Sequence, residues 1–533
     1  MFERLRSNRL YLVIGPLALS APLASFLRFY DIPLLSPEAF FSYAILVLIG
    51  LVAGLVMALG GNLIQALISS GIIILIVFSE LERSLLYSQG LRYRYFLLLC
   101  VFLLGIFLYF LRADRARFLV IVFGVMCLVG ITSGTPHITE VSEKSHHQPD
   151  TSLPPYIHIV LDEHIGIEGI PPSSDKKNKF SLELKKKYID QGFLVFGRAY
   201  SRFFNTEMSF SSFLNFQNFQ STDNFSANLI PVGKSEQKSI LNQIVPITFK
   251  PNALFEALSR RGYIINTFHP APYSYCNEKV IYRFGKCVAY PSTGLKFFKS
   301  ESIILTALMK KMRLLQAYNK MVAVLGGPEI TIDNSSAPIQ TYASANKFAE
   351  FLGEGKPGNA YFIHLLLPHS SYILDEKCSH DKNWNFFKKE ALHKTYTRYI
   401  KQIQCTHVVV DKIIDKLNAN TEARHGTIVI HGDHGSRIGL LKKPPVGKSA
   451  GLFSGEEYIQ YFSTFFSIRS PSLAPGYDRR PFALDELLKV SILGKTDFLK
   501  DEQGKFVYSP SSDSSFKQFT LPPFANGSKV KAW

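Results

Sequence analysis

The sequence predicts a protein in two parts: a bundle of about five transmembrane helices, then an exported α/β sandwich with a mostly parallel central sheet. Three observations carry that expectation. No charged residue occurs from Phe40 to Ser79; short β-branched runs alternate with longer amphipathic stretches after Pro155; and three of those runs end in clusters of Asp, Glu and His.

Gly60-Gly61-Asn62 cuts the uncharged run into two pieces of about 20 residues, each the length that crosses roughly 30 Å of hydrocarbon, which predicts a helical hairpin in a bilayer. Leu10–Leu27, Tyr95–Leu111 and Phe118–Ser133 bring the count to five spans. Pro16 and Pro22 fall in the first, where a lipid-embedded helix tolerates proline better than a soluble one. Arg4, Arg6 and Arg9 ahead of an apolar stretch also fit a signal peptide, but the four later spans make cleavage unnecessary for export. Those arginines, and Arg112, Arg115 and Arg117 between the fourth and fifth spans, read as cytoplasmic, so an odd number of spans exports everything after about residue 134. Arg83, Arg92 and Arg94 run against that orientation. The expected place is a bacterial inner (cytoplasmic) membrane, multi-pass, with the catalytic part on the periplasmic or extracellular side.

The division is therefore 1–134 transmembrane, 135–154 linker, 155–500 exported catalytic domain and 501–533 peripheral tail. The linker is polar and proline-bearing, and its His146-His147 pair reads as solvated rather than metal-binding. Cys276, Cys287, Cys378 and Cys405 lie in the exported part, and an even number suits an oxidising compartment. Proximity suggests Cys276–Cys287 and Cys378–Cys405 among the three connectivities that four cysteines allow. Residues 1–134 hold 10 Lys and Arg against 6 Asp and Glu, so the remaining chain carries +13 of the formal +17. A basic domain tethered at a membrane suits anionic headgroups or an anionic glycolipid surface, whereas no nucleic-acid motif appears.

In the exported part, 156–161, 263–268, 361–367 and 427–430 read as buried strands, and Tyr396 to Leu417 has helical spacing of its apolar residues. In open α/β sheets the site lies at the carboxyl ends of strands. The first of these strands delivers Asp162-Glu163-His164, the third Pro368-His369, the fourth His431-Gly432-Asp433-His434. Mixed carboxylate and imidazole donors suit zinc or manganese. A hydroxyl nucleophile, activated by such a metal, is offered by the segment from Ala199 to Leu214, in which Thr206 or Asn205 also suits a helix cap.

These segments resemble the sulfatase-like branch of the alkaline-phosphatase superfamily over roughly residues 155 to 500. HIVLDEHIG looks like the opening strand with its acidic ligands, HGDHGSRIG like the late metal pair, and HLLLPHSSYILDEKC like the histidine segment facing the substrate. AYSRFFNTEMSFSSFL lines up with the nucleophile segment, and Thr206 falls on the nucleophile position. Sulfatases need Cys or Ser there for conversion to formylglycine, so Thr206 points to the phosphotransferases. Five spans plus an exported domain is also the layout of lipoteichoic acid synthases and lipid A phosphoethanolamine transferases, whose Thr-x-x-Ser pattern Thr206 and Ser209 match.

The resemblance implies an alkaline-phosphatase-like sandwich in which Asp162, Thr206, Asp433 and His434 hold a divalent metal: zinc first, manganese or calcium as alternatives. Thr206 then attacks a phospholipid donor, releases diacylglycerol and passes phosphoethanolamine or phosphoglycerol to an anionic glycolipid or polysaccharide acceptor. His369 binds phosphate or protonates a leaving group. Glu163 for a second metal, Arg437 for phosphate, Ser209 and His431 form a second tier. The lipid A enzymes carry another histidine about a dozen residues after their Asp-His pair; this chain has none after His434, and His164, His364 and His431 are the substitutes within reach. A sulfuric-ester or phosphodiester hydrolase of the same fold is the alternative; a non-enzymatic scaffold is disfavoured by the intact ligands and hydroxyl.

Overall fold

A computed structural model describes residues 8–85 apart from 30–34 and 36, 93–132 apart from 112 and 113, 140–142, 149–216 apart from 173, 176 and 177, 247–290 apart from 249–251, 272 and 277–282, then 308, 337–379 apart from 353 and 354, 392–438, and 455–520 apart from 498, 500–505 and 511–515. The expectations placed on Arg4, Arg6, Arg92, Arg112, His146, His147 and the end of the tail lie outside those residues. The chain forms two compact units, one running up to His137 and the other holding most of the chain from Ile138 onward.

In the first unit, helices α1 (Tyr11–Phe29), α2 (Pro37–Leu59), α3 (Asn62–Leu85), α4 (Tyr93–Phe110) and α5 (Arg115–Thr132) form where the sequence has its five apolar stretches. Among the described residues one helix, over Ala39–Leu59, is long and apolar enough to cross a membrane; the apolar parts Tyr11–Ala24 and Asn62–Ile73 are shorter. Pro16 and Pro22 lie inside α1 without ending it. Helices α1 and α2 touch backbone to backbone, because a Cβ on Gly15 would overlap the Gly50 carbonyl and one on Gly54 would press on that of Tyr11. Gly50 and Gly54 stand four apart on one helix face, the small-residue spacing that lets lipid-embedded helices pack closely.

Helix ends in this unit are tied by side chains. Asn8 Nδ2 donates to Ala58 O, Gln65 Nε2 to Met57 O, and the buried Arg115 guanidinium to Leu108 O, Asn62 O and Gln65 Oε1. These bonds satisfy carbonyls left open at the ends of α2 and α4. They also gather the start of α1, the end of α2, the start of α3, the end of α4 and the start of α5 at one end of the bundle, an up-and-down arrangement. Leu308, far along the chain, is buried among these helices, so the later sequence is not wholly catalytic domain as the division at residue 155 has it.

The second unit is built on a nine-stranded sheet of order β1-β7-β5-β8-β2-β9-β10-β3-β11. The strands are β1 (Glu140–Ser142), β2 (Tyr156–Leu161), β3 (Leu194–Phe196), β5 (Ile264–Pro270), β7 (Phe284–Tyr290), β8 (Asn359–Leu365), β9 (Thr427–Gly432), β10 (Phe466–Arg469) and β11 (Gly476–Asp478). Two small ladders pair β4 (Ile247–Thr248) with β6 (Tyr273–Ser274) and β12 (Phe506–Pro510) with β13 (Phe516–Thr520). Strands β7, β5, β8, β2 and β9 run parallel, and β1 and β10 add antiparallel neighbours at either side. Every residue of β2 is buried, as expected for a parallel strand covered on both faces. Among the described residues, eight helices surround the sheet: α6 (Lys179–Asp190), α7 (Thr206–Leu214), α8 (Ala253–Arg260), α9 (Ala337–Ala343), α10 (Ala345–Leu352), α11 (Leu392–Asn418), α12 (Gly455–Phe462) and α13 (Leu484–Leu493).

Two parts of the sequence division change. The linker contributes β1, whose Glu140–Ser142 backbone pairs with the open edge of β7. The tail is not peripheral at 507 and 508: Val507 and Tyr508 are buried, Tyr508 N donates to Arg202 O, and its ring stacks on Phe203 at 5.4 Å. Apolar side chains inside that polar stretch are what draw it onto the segment preceding Thr206.

Candidate active site

Parallel pairing puts the strand ends level. Leu161 of β2 is in register with Leu365 of β8 and Gly432 of β9, so the next residues, Asp162 and Asp433, emerge side by side. Gly435 is required beyond them, since a Cβ there would overlap the Gln460 carbonyl, and the chain turns His434 back toward Asp162. Ligand atoms of Asp162, Asp433 and His434 all lie within 4.8 Å of one another, and all three residues are fully buried.

Thr206 arrives from the other direction, as the first residue of α7. Asn205, extended at φ −125°, is the N-cap and accepts from Met208 N at 3.1 Å. Capping by Asn205 leaves the Thr206 hydroxyl uncommitted to its own helix, and Oγ1 stands 3.4 Å from His434 Nε2. Ser209, one turn on, donates to the Asp433 carbonyl and meets Ser201 Oγ at 2.6 Å; it fastens α7 to the strand end. The approach to α7 is anchored by a buried bidentate pair, Arg202 Nε and Nη2 on the Asp485 carboxylate at 2.8 and 3.2 Å.

The polar atoms of this cluster are incomplete by themselves. Asp162 Oδ1 and Asp433 Oδ2 are buried without a hydrogen-bond partner. Burial, then the charge of Asp162, pushes the Asp433 carboxyl well up; Asp162 is held down against burial by His369 and by the His364 imidazole at 3.3 Å. His434 Nδ1 lies 2.8 Å from Gly435 O, which assigns its proton there and leaves the Nε2 lone pair facing the carboxylates. Burial and Arg437 push its pKa down to about 4, so that lone pair is available at neutral pH. Two open carboxylate oxygens, a neutral imidazole nitrogen and a hydroxyl within reach fit a divalent cation, which relieves both the orphaned oxygens and the carboxylate repulsion.

A second cluster adjoins the first. Glu163, at the left-handed φ of 63°, sends its amide to Asp433 Oδ1 at 2.9 Å and its side chain the other way. Its Oε1 accepts from Arg437 Nε at 2.6 Å, and its Oε2 from Ser370 N and the Tyr372 hydroxyl at 3.2 and 3.1 Å. Both oxygens are thus engaged and orient Arg437, while a carboxylate oxygen of Glu163 also lies within 4.8 Å of ligand atoms of Asp162 and His369, a second group of metal-type donors. Arg437 Nη2 lies 3.2 Å from His369 Nε2. Burial disfavours a charged His369, but Glu163 and Asp162 outweigh it and raise its pKa. His369 is a quarter exposed and Arg437 about a third, which presents both to an incoming anion beside the metal cluster.

The histidines offered as substitutes divide. His364 sits behind Asp162, with its Nδ1 held by the Tyr275 hydroxyl at 2.9 Å. His431 is not in the site: its Nε2 meets His158 Nε2 at 2.7 Å within the sheet layer, because a residue two before Asp433 on an extended strand points where Asp433 does but one step deeper in the core. His164 likewise pairs with His407 at 2.9 Å. Disulfides join Cys276 with Cys287 and Cys378 with Cys405.

Sequence reasoning missed Gln402. Gln402 lies on α11, fully buried; its Nε2 donates to Pro368 O and His369 O at 3.1 and 2.8 Å, and its Oε1 accepts from Ile373 N and Leu374 N at 2.9 and 3.1 Å. A polar residue among the mostly apolar buried positions of α11 was the available signal. Gln402→Leu fills the same volume but orphans four backbone groups; we expect a loss of roughly 2–4 kcal/mol in denaturant titration, together with loss of activity through the His369 loop.

The Sulfatase family model matches residues 175–462, a span holding Thr206, His369, Asp433, His434 and Arg437. No curated protein matches the chain significantly. Among solved structures, similar ones include the C-terminal periplasmic domain of EcEptC from Escherichia coli in complex with Zn (13% identity, 74% of this chain and 98% of that one, TM-score 0.41). Others are an alkaline phosphatase superfamily protein from Vibrio parahaemolyticus (12%, 72% and 78%, 0.37) and the phosphonate monoester hydrolase of Agrobacterium radiobacter (12%, 67% and 81%, 0.38). With more than half of its length matched, the chain belongs to the sulfatase family and is an enzyme of phosphoryl or sulfuryl transfer or hydrolysis.

Proposed function

We propose that the chain is a multi-pass inner-membrane transferase that moves a phosphoryl-linked headgroup, phosphoethanolamine or phosphoglycerol, from a phospholipid to an anionic envelope glycan or glycolipid. The observation carrying this reading is Thr206: an unmodified hydroxyl, released from capping duty, stands beside Asp162, Asp433 and His434 where a formylglycine-forming enzyme needs Cys or Ser. Zinc is the metal we assign, held by those three residues with Thr206; when bound it supplies Lewis acidity and lowers the pKa of a coordinated hydroxyl.

Each residue has its own task. Thr206 Oγ1 attacks phosphorus; its O–H bond breaks, an Oγ1–P bond forms, the bond from phosphorus to the diacylglycerol oxygen breaks, and the proton leaves with diacylglycerol. The amino end of α7 places partial positive charge beneath the developing ester. Arg437, oriented by Glu163, and His369 bind the non-bridging phosphoryl oxygens. An acceptor hydroxyl then attacks the Thr206 ester, its proton returns to Oγ1, and the headgroup departs on the acceptor. The five apolar helices and the +13 charge after residue 134 support a donor in the outer leaflet and an anionic acceptor.

Lipid mass spectrometry of cells expressing the wild type or Thr206→Ala tests this. We expect diacylglycerol release and a headgroup mass on an envelope component only with the wild type; identical lipid and envelope profiles would refute the transferase.

A further inference from the structure

The two carboxylates of the metal cluster each keep one open oxygen, but they are fixed by different means. Asp433 Oδ1 accepts from two backbone amides, Glu163 N at 2.9 Å and His434 N at 2.8 Å, and Oδ2 is its buried oxygen without a partner. Asp162 Oδ2 faces His364 Nε2 at 3.3 Å, and Oδ1 is the open one. Among the described residues, His364 is the one hydrogen-bond partner of the Asp162 carboxylate. Strand register explains the contact. Val160 pairs with His364, and side chains alternate between faces, so Asp162, two residues after Val160, projects to the face that His364 occupies. Asp162 N donates to Leu365 O at 2.9 Å, which carries the ladder on to the ligand itself.

The imidazole is held in turn. The Tyr275 hydroxyl lies 2.9 Å from His364 Nδ1, and the rings of Phe210, on the Thr206 helix, and Tyr273 pack on it with centroids 4.7 and 5.4 Å away. Tyr275 immediately precedes Cys276, whose disulfide to Cys287 ties this connection to β7. An ionised carboxylate only accepts, so Nε2 carries the His364 proton, Nδ1 is an acceptor and the Tyr275 hydroxyl donates. We propose that His364 is a positioning residue for Asp162: its Nε2–H engages Oδ2, stops the carboxylate turning about its last torsion and leaves Oδ1 for the cation. Backbone amides do this for Asp433; for Asp162 the task falls to one side chain. The inference rests on Asp162, Asp433 and His434 holding a divalent metal, and not on which ester is attacked.

Two amide substitutions separate the two edges of the imidazole. The longer amide of His364→Gln reaches the place of Nε2 and still donates to Asp162, whereas that of His364→Asn reaches only the place of Nδ1, beside Tyr275. Full-length protein is stripped of metal and titrated with zinc against a chromophoric chelator. We expect His364→Asn to weaken zinc affinity about 10- to 100-fold and His364→Gln to hold it within about threefold, with similar thermal midpoints for the two metal-free variants. With cobalt(II) as the probe, the visible absorption bands should shift in His364→Asn and match the wild type in His364→Gln. Wild-type affinity in His364→Asn, or equal loss in both variants, overturns the assignment. Should either variant fail to fold, Tyr275→Phe decides, since it keeps the histidine and removes only its outer hydrogen bond: a zinc affinity about 2- to 10-fold weaker supports the role, and an unchanged one overturns it. A wild type that binds zinc but releases no diacylglycerol from phosphatidylethanolamine vesicles sinks the transferase reading, while the affinity comparison still decides this inference. A wild type that binds no zinc overturns the metal cluster and the role of His364 with it.

Discussion

Replacing Thr206 by alanine is expected to lower turnover on the order of 10⁴- to 10⁶-fold, the scale on which other enzymes lose rate when a covalent nucleophile is removed. The fold should survive the change. Thr206 is small, its helix is capped by Asn205, and Ser209 still ties α7 to the Asp433 carbonyl. We therefore expect the denaturation midpoint to move by less than about 1 kcal/mol equivalent, and zinc to remain on Asp162, Asp433 and His434 with weakened affinity. Thr206→Ser retains a hydroxyl on the same carbon and should retain measurable turnover. Equal loss in the serine and alanine variants, measured as kcat on one donor, would show that position 206 matters for packing rather than for attack.

Acid should unfold the catalytic unit above the carboxylate range. Burial, the largest influence in each case, pushes His164, His269 and His431 down to about 4, and His158 and His407 well below the usual value. The hydrogen bonds explain why the neutral forms are specified. His431 Nδ1 faces Gly432 O and His164 Nδ1 faces Ile165 O, so both use their protons there and present bare Nε2 atoms to His158 and His407. Protonating His431 or His164 sets two N–H groups face to face, and protonating His158 or His407 adds a buried charge at Nδ1, beside the Tyr156 or Tyr188 hydroxyl. Because these side chains are neutral when folded and charged when unfolded between about pH 6.5 and 4, the unfolded chain binds more protons in that window and stability falls as pH falls. A histidine held at 4 loses roughly 3 kcal/mol across it. Urea midpoints at pH 7, 6 and 5 should drop steadily; midpoints flat down to pH 4.5 would mean the histidine pairs are charged or open in the native state.

The sheet and the metal cluster were legible because strand ends are local signals. Strand β2 reads as a strand from its own residues, and Asp162 is simply the next residue after it; the same holds for β9 and Asp433-His434. Thr206 came into view only through the resemblance of its segment to the nucleophile segment of the sulfatase-like branch, and the structure sets it beside His434. The features hidden from the sequence depend on pairing between distant segments. Nothing local shows that Asn205, not Thr206, caps α7, that a left-handed backbone at Glu163 turns its carboxylate from the metal cluster to Arg437, or that His431 meets His158. Gln402 acts from α11, where only its polarity among mostly apolar buried positions sets it apart. The tail was read as peripheral from its Ser, Pro and Lys content, and Val507 and Tyr508 reverse that through a contact with Arg202 and Phe203 more than 300 residues earlier.

The central claim is that Thr206 carries the transferred group. The measurement is mass spectrometry of the residue-206 peptide after brief exposure of the zinc-loaded full chain to phosphatidylethanolamine or phosphatidylglycerol in vesicles, without acceptor, quenched in acid. We predict a headgroup phosphate ester on Thr206 formed in step with diacylglycerol and absent in Thr206→Ala. Diacylglycerol released while Thr206 stays unmodified at every time point would contradict it, since water or acceptor would then be attacking the lipid directly.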